Sequence, residues 1–140
     1  MKFIDRLAKA RKELKPFYSD YRVVYEDNVD EPVKIMKPDA HAMAALMAGN
    51  VFPPIWAFWE LKKDESQPDF KKHTRGYLLH DTPREGPKTE EEALEFIIMK
   101  DVPQHVWRTY NEGNKPKIKI CKSSQLPQKR SFRNAWRIAA

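Results

Sequence analysis

Eleven prolines spread along 140 residues constrain this chain more than any other feature. Each locks φ near about −65° and removes a backbone donor, so neither a helix interior nor a central strand runs through one. Only four glycines accompany them, so forced turns outnumber left-handed ones. The pieces between prolines must pack together as short elements. Apolar residues make up 41% of the chain, with sixteen aromatics. A domain of this length buries roughly 68% of its unfolded surface, so the expectation is one domain around one core.

The pieces can be read in order. Phe3, Leu7, Ala10 and Leu14 recur at helical spacing, and Lys2, Arg6, Lys9, Lys12 and Glu13 fill the other faces. Residues 1–16 therefore form a basic amphipathic helix stopped by Pro16, either a projecting arm or a surface helix with one shallow buried stripe. YRVVYE (21–26) and PVKIMK (32–37) read as a hairpin around DNVD. Asp39 caps a short helix with Met43, Leu46 and Met47 inward, and Gly49 ends it. After Pro53 and Pro54, residues 55–61 read as a strand apolar on both faces, Trp56 and Phe58 on one and Trp59 on the other. RGYLLH (75–80) reads as a further strand. TEEEALEFIIMKDVP is the clearest helix, with Thr89 and Glu92 at capping-box spacing and Ala93, Leu94, Ile97 and Ile98 inward. HVWRTY (105–110) and KIKICK (117–122) read as a second hairpin. The fold class is α+β: residues 17–140 form a single small domain, an antiparallel sheet of about five or six strands with two or three short flanking helices.

Charge divides the chain. Residues 1–15 carry six Lys/Arg against two acids, and residues 114–140 carry eight against none. The middle holds twelve basic and eighteen acidic residues. Basic ends on an acidic body suit a polyanion, their own acidic middle, or a neighbouring subunit. The single cysteine, Cys121, excludes an internal disulfide framework. Neighbouring lysines favour its thiolate, although a cysteine in a strand is ordinarily inert. No window approaches the roughly 20 apolar residues of a membrane span, so no membrane partner is expected.

Catalytic patterns are sparse. His41, His73, His80 and His105 show no metal-ligand spacing. His73, Arg75, His80, Asp81 and Arg84 form the nearest thing to an acid–base cluster. However, His80 and Asp81 are adjacent in a predicted strand and point to opposite faces. The reading is non-enzymatic, with no cofactor and no metal.

The C-terminal block constrains more. Phe132 and Trp136 lie one helical turn apart in SFRNAWRI, with Arg130, Arg133 and Arg137 on the other faces. Two such aromatics bury roughly 150–250 Å² each. The pair is expected to plug the layer between sheet and helices; the alternative is a hook whose arginines and rings meet phosphates and bases. KDVPQHVWRTY followed by QLPQKRSFRNAW resembles small proteins of tailed bacteriophages and prophages, a family with no settled activity. Its members end in Pro, two residues, Arg, one residue, then Phe-Arg-Asn-Ala-Trp. The resemblance spans residues 21–136, with residues 49–88 as an insertion and Lys129 where the family has Asp. It implies a phage protein encoded near tail or virion-assembly genes, and no catalytic residue.

The functional expectation is thus a virion-associated or assembly component, in the virion or the host cytoplasm, acting through contacts with other phage proteins or itself. Trp56, Phe58 and Trp59 are the candidate contact residues. Lys117, Lys119, Arg130, Arg133 and Arg137 are the candidate basic surface. The alternatives are a nucleic-acid binder using the basic termini and an early effector that binds a host protein.

Overall fold

A helix begun by Thr89 is the axis of the structure. The computed structural model describes residues 2–27, 32–55, 57–58, 86–110 and 116–126. Its elements run α1 (Phe3–Glu13), β1 (Tyr21–Tyr25), β2 (Lys34–Met36), α2 (Ala40–Ala48), α3 (Glu90–Asp101), α4 (Gln104–Trp107) and β3 (Ile118–Lys122). The described residues thus form an α+β domain of four α-helices and a three-stranded antiparallel sheet.

The capping box of α3 forms as its sequence demands. Thr89 Oγ1 accepts from Glu92 N–H at 3.2 Å, and Glu92 Oε1 accepts from Thr89 N–H at 3.0 Å. Three glutamates in the first turn face the positive end of the helix dipole. From Ala93 to Met99 every residue is buried, including Glu95 at 1% exposure. A helix buried on all sides must be wrapped. One continuous core joins it to Val23 and Ile118 of the sheet, Met43 and Leu46 of α2, and Val106 and Trp107 of α4.

The sheet order is β2-β1-β3, with Val23 opposite both Met36 and Ile120, and Val24 opposite Ile35 and Lys119. Alternation then divides β1. Val23 enters the main core, while Val24 faces a second, smaller cluster with Val33, Cys121 and Leu126. Two polar clips hold the start of β1. Ser19 Oγ donates to Glu90 Oε1 at 2.8 Å and accepts from Tyr21 N–H. Asp20 accepts from Ser123 twice, through its carbonyl at 2.9 Å and through its carboxylate.

Helix α2 starts where Asp39 accepts from Ala42 N–H at 2.8 Å and ends at Gly49, φ 85°. Helix α1 packs on α2 and does not project as an arm. The ring of Phe3 sits 5.1 Å from that of Phe52 and 5.8 Å from that of Phe58, and Leu7 and Leu14 pack against the cluster of Ala10, Ala45 and Val51. Arg6 Nε–H donates to Val51 C=O at 3.0 Å.

Three of the expected strands are described, at 21–25, 34–36 and 118–122. Two others are helical. Ile55, Ala57 and Phe58 lie in a helical turn, with Ala57 N–H bonded to Pro54 C=O at 3.0 Å. The Pro53–Pro54 pair favours this, because a first helical turn needs no N–H from those positions and proline already has the right φ. Pro103 acts likewise: it ends α3 and starts α4, its carbonyl accepting from Val106 and Trp107. Val106 and Trp107, adjacent and both buried, do not follow the alternation of a strand. Residues 108–110 continue as a 3-10 turn. The strand expected at 75–80 lies outside the described residues.

Gly49 supports a prediction. A Cβ there would meet Pro87 N at 2.6 Å and Pro87 Cδ at 2.8 Å, in a backbone region that side chains avoid. Gly49→Ala is expected to lower stability by about 2 kcal/mol, more than the roughly 1 kcal/mol strain of an unhindered C-terminal glycine. Urea denaturation of the two proteins measures the difference.

Candidate functional site

Helix α1 has an inner and an outer side, and the outer side carries most of its charge. Phe3, Leu7, Ala10 and Leu14 face inward. Lys2, Lys9, Arg11, Lys12 and Lys15 are exposed, against exposed Asp5 and Glu13. Two large residues join this surface in sequence: Ile4 is 71% exposed and Tyr18 73%. Helical spacing could identify Ile4 as off the buried stripe. Nothing in the sequence marked Tyr18, because Phe17 beside it is half-buried and the segment has no regular period.

A groove of about 420 Å³ lies between α1 and the end of α2. Ala10 and Val51 form a buried floor and Leu14 a half-buried wall, while Ala48 is exposed at the lip. Four polar side chains line it: Arg6, Lys9 and, one turn after Lys9, Glu13 on α1, and the exposed Asn50. Asn50 has φ 62°, a left-handed conformation that asparagine tolerates better than most side chains.

Lys117, just before β3, and Lys119 within it are exposed, although Cys121, on the same parity, is buried. Lys122, on the opposite parity, lies 3.8 Å over the Tyr21 ring. Arg22 is committed to backbone, donating to the carbonyls of Ser19 and Tyr21 at 2.8 Å each. Phe58 is half-buried, with its ring 5.8 Å from those of Phe3 and Phe96 and 6.2 Å from Phe52. Trp56, Trp59, Arg130, Phe132, Arg133, Trp136 and Arg137 lie outside the described residues. So do His73, Arg75, His80, Asp81 and Arg84.

One polar cluster has the elements of acid–base chemistry. His105 Nε2–H donates to Asp27 Oδ1 at 3.0 Å, and Lys34 Nζ lies 3.4 Å from Oδ2. His105 is 62% exposed, so the arrangement is a solvated hydrogen bond tying the β1–β2 hairpin to α4. Among the described residues no three His, Cys, Asp or Glu side chains come together in a way that could hold a metal. No helix among them is long and apolar enough to cross a membrane. No protein-family model, no curated protein and no solved structure matches the chain.

Cys121 behaves as a core residue. Burial pushes its thiol above the ordinary value of 9.0, outweighing the lowering influence of Lys119 and Arg22. The flanking lysines therefore do not make it a thiolate. The folded chain holds this proton more tightly than the unfolded one, so between the two values the unfolded state binds fewer protons and stability falls as pH rises. Urea denaturation at stepped pH is expected to show a loss beginning near 9.0, and Cys121→Ala is expected to flatten it.

Proposed function

We propose that this chain is a non-enzymatic bacteriophage protein, a virion-associated or assembly component that works through protein–protein contact. The observation that carries the reading is the outer surface of α1: a helix anchored on its inner side, with Ile4 71% exposed among its lysines and arginine, and with Tyr18, five residues beyond the helix, 73% exposed as well. Large apolar side chains set among cations are what a protein contact uses, an apolar centre with a polar rim. The C-terminal resemblance to phage and prophage proteins supplies the setting. The polar side chains of the fold support the same direction, since Asp39, Thr89, Glu92, Ser19, Glu90, Asp20 and Ser123 all serve as caps or clips. Mass spectrometry of purified particles from the encoding phage is expected to find the protein at a fixed copy number. Particles that lack it would remove the virion reading.

A nucleic-acid partner is the second reading, favoured by the exposed Lys119 of β3 and Lys117 just before it, together with the cations of α1. Binding through phosphates releases counterions and must weaken steeply with salt. Filter retention of DNA and RNA across a salt series is the measurement. Retention that falls with salt, and falls further in a Lys117→Glu, Lys119→Glu double variant, is the expected outcome. The reading fails if nothing is retained at the lowest salt.

A further inference from the structure

We propose that the flank of α1 turned away from the groove, formed by Ile4, Ala8, Arg11 and Lys12, docks an acidic helix of a partner protein. This rests on the contact reading above and gives that contact a place and a chemistry.

The four residues stand at i, i+4, i+7 and i+8 of one helix, so they share one side of it. All four are exposed, Ile4 by 71%. None of them lines the groove, whose α1 residues are Arg6, Lys9, Ala10, Glu13 and Leu14. Each of the two acids of α1 is one turn from Lys9, Asp5 before it and Glu13 after it. Around Arg11 and Lys12 the residues three and four positions away are Leu7, Ala8, Lys9, Leu14, Lys15 and Pro16, with no acid among them. Neither Arg11 nor Lys12 makes an ion pair or a side-chain hydrogen bond among the described residues. The helix dipole favours cations in a last turn, but it gives no reason for a bare isoleucine on the same side.

The flank thus has an apolar end and a cationic end, about 10 Å apart by the rise of seven residues. Asp5 borders the Ile4 end, so a guest carboxylate is repelled there and attracted at the Arg11–Lys12 end. Ala8 between the two ends offers only a methyl, which lets a second helix lie close. A partner helix matches both ends when a leucine or isoleucine stands two turns from its carboxylates. The aliphatic pair gains by leaving water. A nucleic-acid strand carries charge on every residue and leaves Ile4 and Ala8 unmatched. An anionic bilayer is a poor guest, because the apolar stripe of Phe3, Leu7, Ala10 and Leu14 is packed into the fold and cannot insert. A second copy meeting through the same flank sets like charges against each other.

The test is titration of the full-length protein with a capped helical peptide that carries leucine and, two turns on, glutamates, followed by amide NMR signals. Saturable shifts at Ile4, Ala8, Arg11 and Lys12 are expected. The same peptide with glutamine for glutamate is expected to bind about three- to tenfold more weakly, from the size of exposed charge pairs. The protein with Arg11→Gln and Lys12→Gln is expected to lose affinity by the same factor. Ile4→Ser is expected to weaken binding about tenfold, through the lost aliphatic contact. Lys9→Gln with Glu13→Gln, on the groove side, is expected to leave the affinity unchanged. All of these positions are exposed, and an unchanged amide spectrum elsewhere confirms the fold of each variant. The proposal is overturned if the glutamate peptide fails to bind, if the glutamine peptide binds as tightly, or if the groove-side pair matters as much as Arg11 and Lys12. A thymidine oligonucleotide that shifts the same signals at lower concentration also overturns it and assigns the flank to nucleic acid. Shifts with protein concentration alone do so too, and assign it to a second copy. Particle mass spectrometry is read separately: a protein present in virions whose flank ignores the peptide keeps its structural role and loses this site.

Discussion

Burial of α3 on every side is the constraint from which the rest of the structure follows. Seven consecutive residues, Ala93 to Met99, are withdrawn from water. An isolated helix of this length is marginal in water, so its stability comes from what surrounds it. Sheet, α2 and α4 each supply apolar side chains to the same cluster. No single element can be removed without exposing a face of α3, and a one-core domain of short elements is the consequence. The proline spacing that cuts the chain into short pieces and the central helix are thus two sides of one solution. Many short elements can surround a cylinder; a few long ones could only lie along it.

The clips at the start of β1 tie this axis to the sheet. Glu90 lies in the first turn of α3, and its carboxylate accepts from Ser19, itself only 5% exposed. The next residue, Asp20, holds the far end of β3 through Ser123. Two adjacent side chains therefore fix the helix N-terminus and both strands at one point. Register in a sheet with apolar residues on both faces is otherwise open to slippage by two, because a shift of two preserves the alternation. The Asp20–Ser123 pair removes that freedom.

Local signals in the sequence were legible wherever a side chain acts on its own backbone. The Thr89–Glu92 box, the Asp39 cap, the Gly49 stop and the first hairpin all appear as expected, and each depends on residues within a few positions. Misreadings came where proline was treated only as a terminator. At Pro54 and Pro103 it begins a turn of helix, which converts two predicted strands into helical segments. Alternation in HVWRTY was a short apolar run that fits either period; the burial of adjacent Val106 and Trp107 settles it. Of the candidate site, the exposure of Lys117 and Lys119 follows from their charge, since parity alone would also expose the buried Cys121. Phe58 lies in a helical turn and not in the strand expected for it. The groove was not legible, because it is a space between helices distant in sequence, and Tyr18 is exposed only through the path the chain takes around α2.

The basic side of β3 has a structural reason independent of any partner. Among the described strands, β3 stands at a sheet edge, where outward N–H and C=O groups invite another strand. Three features make that pairing unfavourable. Lysine recurs at 117, 119 and 122, so two copies pairing antiparallel across Lys119 would set like charges opposite each other. Gln125 Oε1 accepts from Lys122 N–H at 2.8 Å, which satisfies a donor at one end. At the other, Thr109 Oγ1 accepts from Lys117 N–H at 2.7 Å, which satisfies a donor there. The lysines of β3 therefore already discourage strand-to-strand association. β3 is thus a guarded edge whose lysines are accounted for within the fold, without any partner.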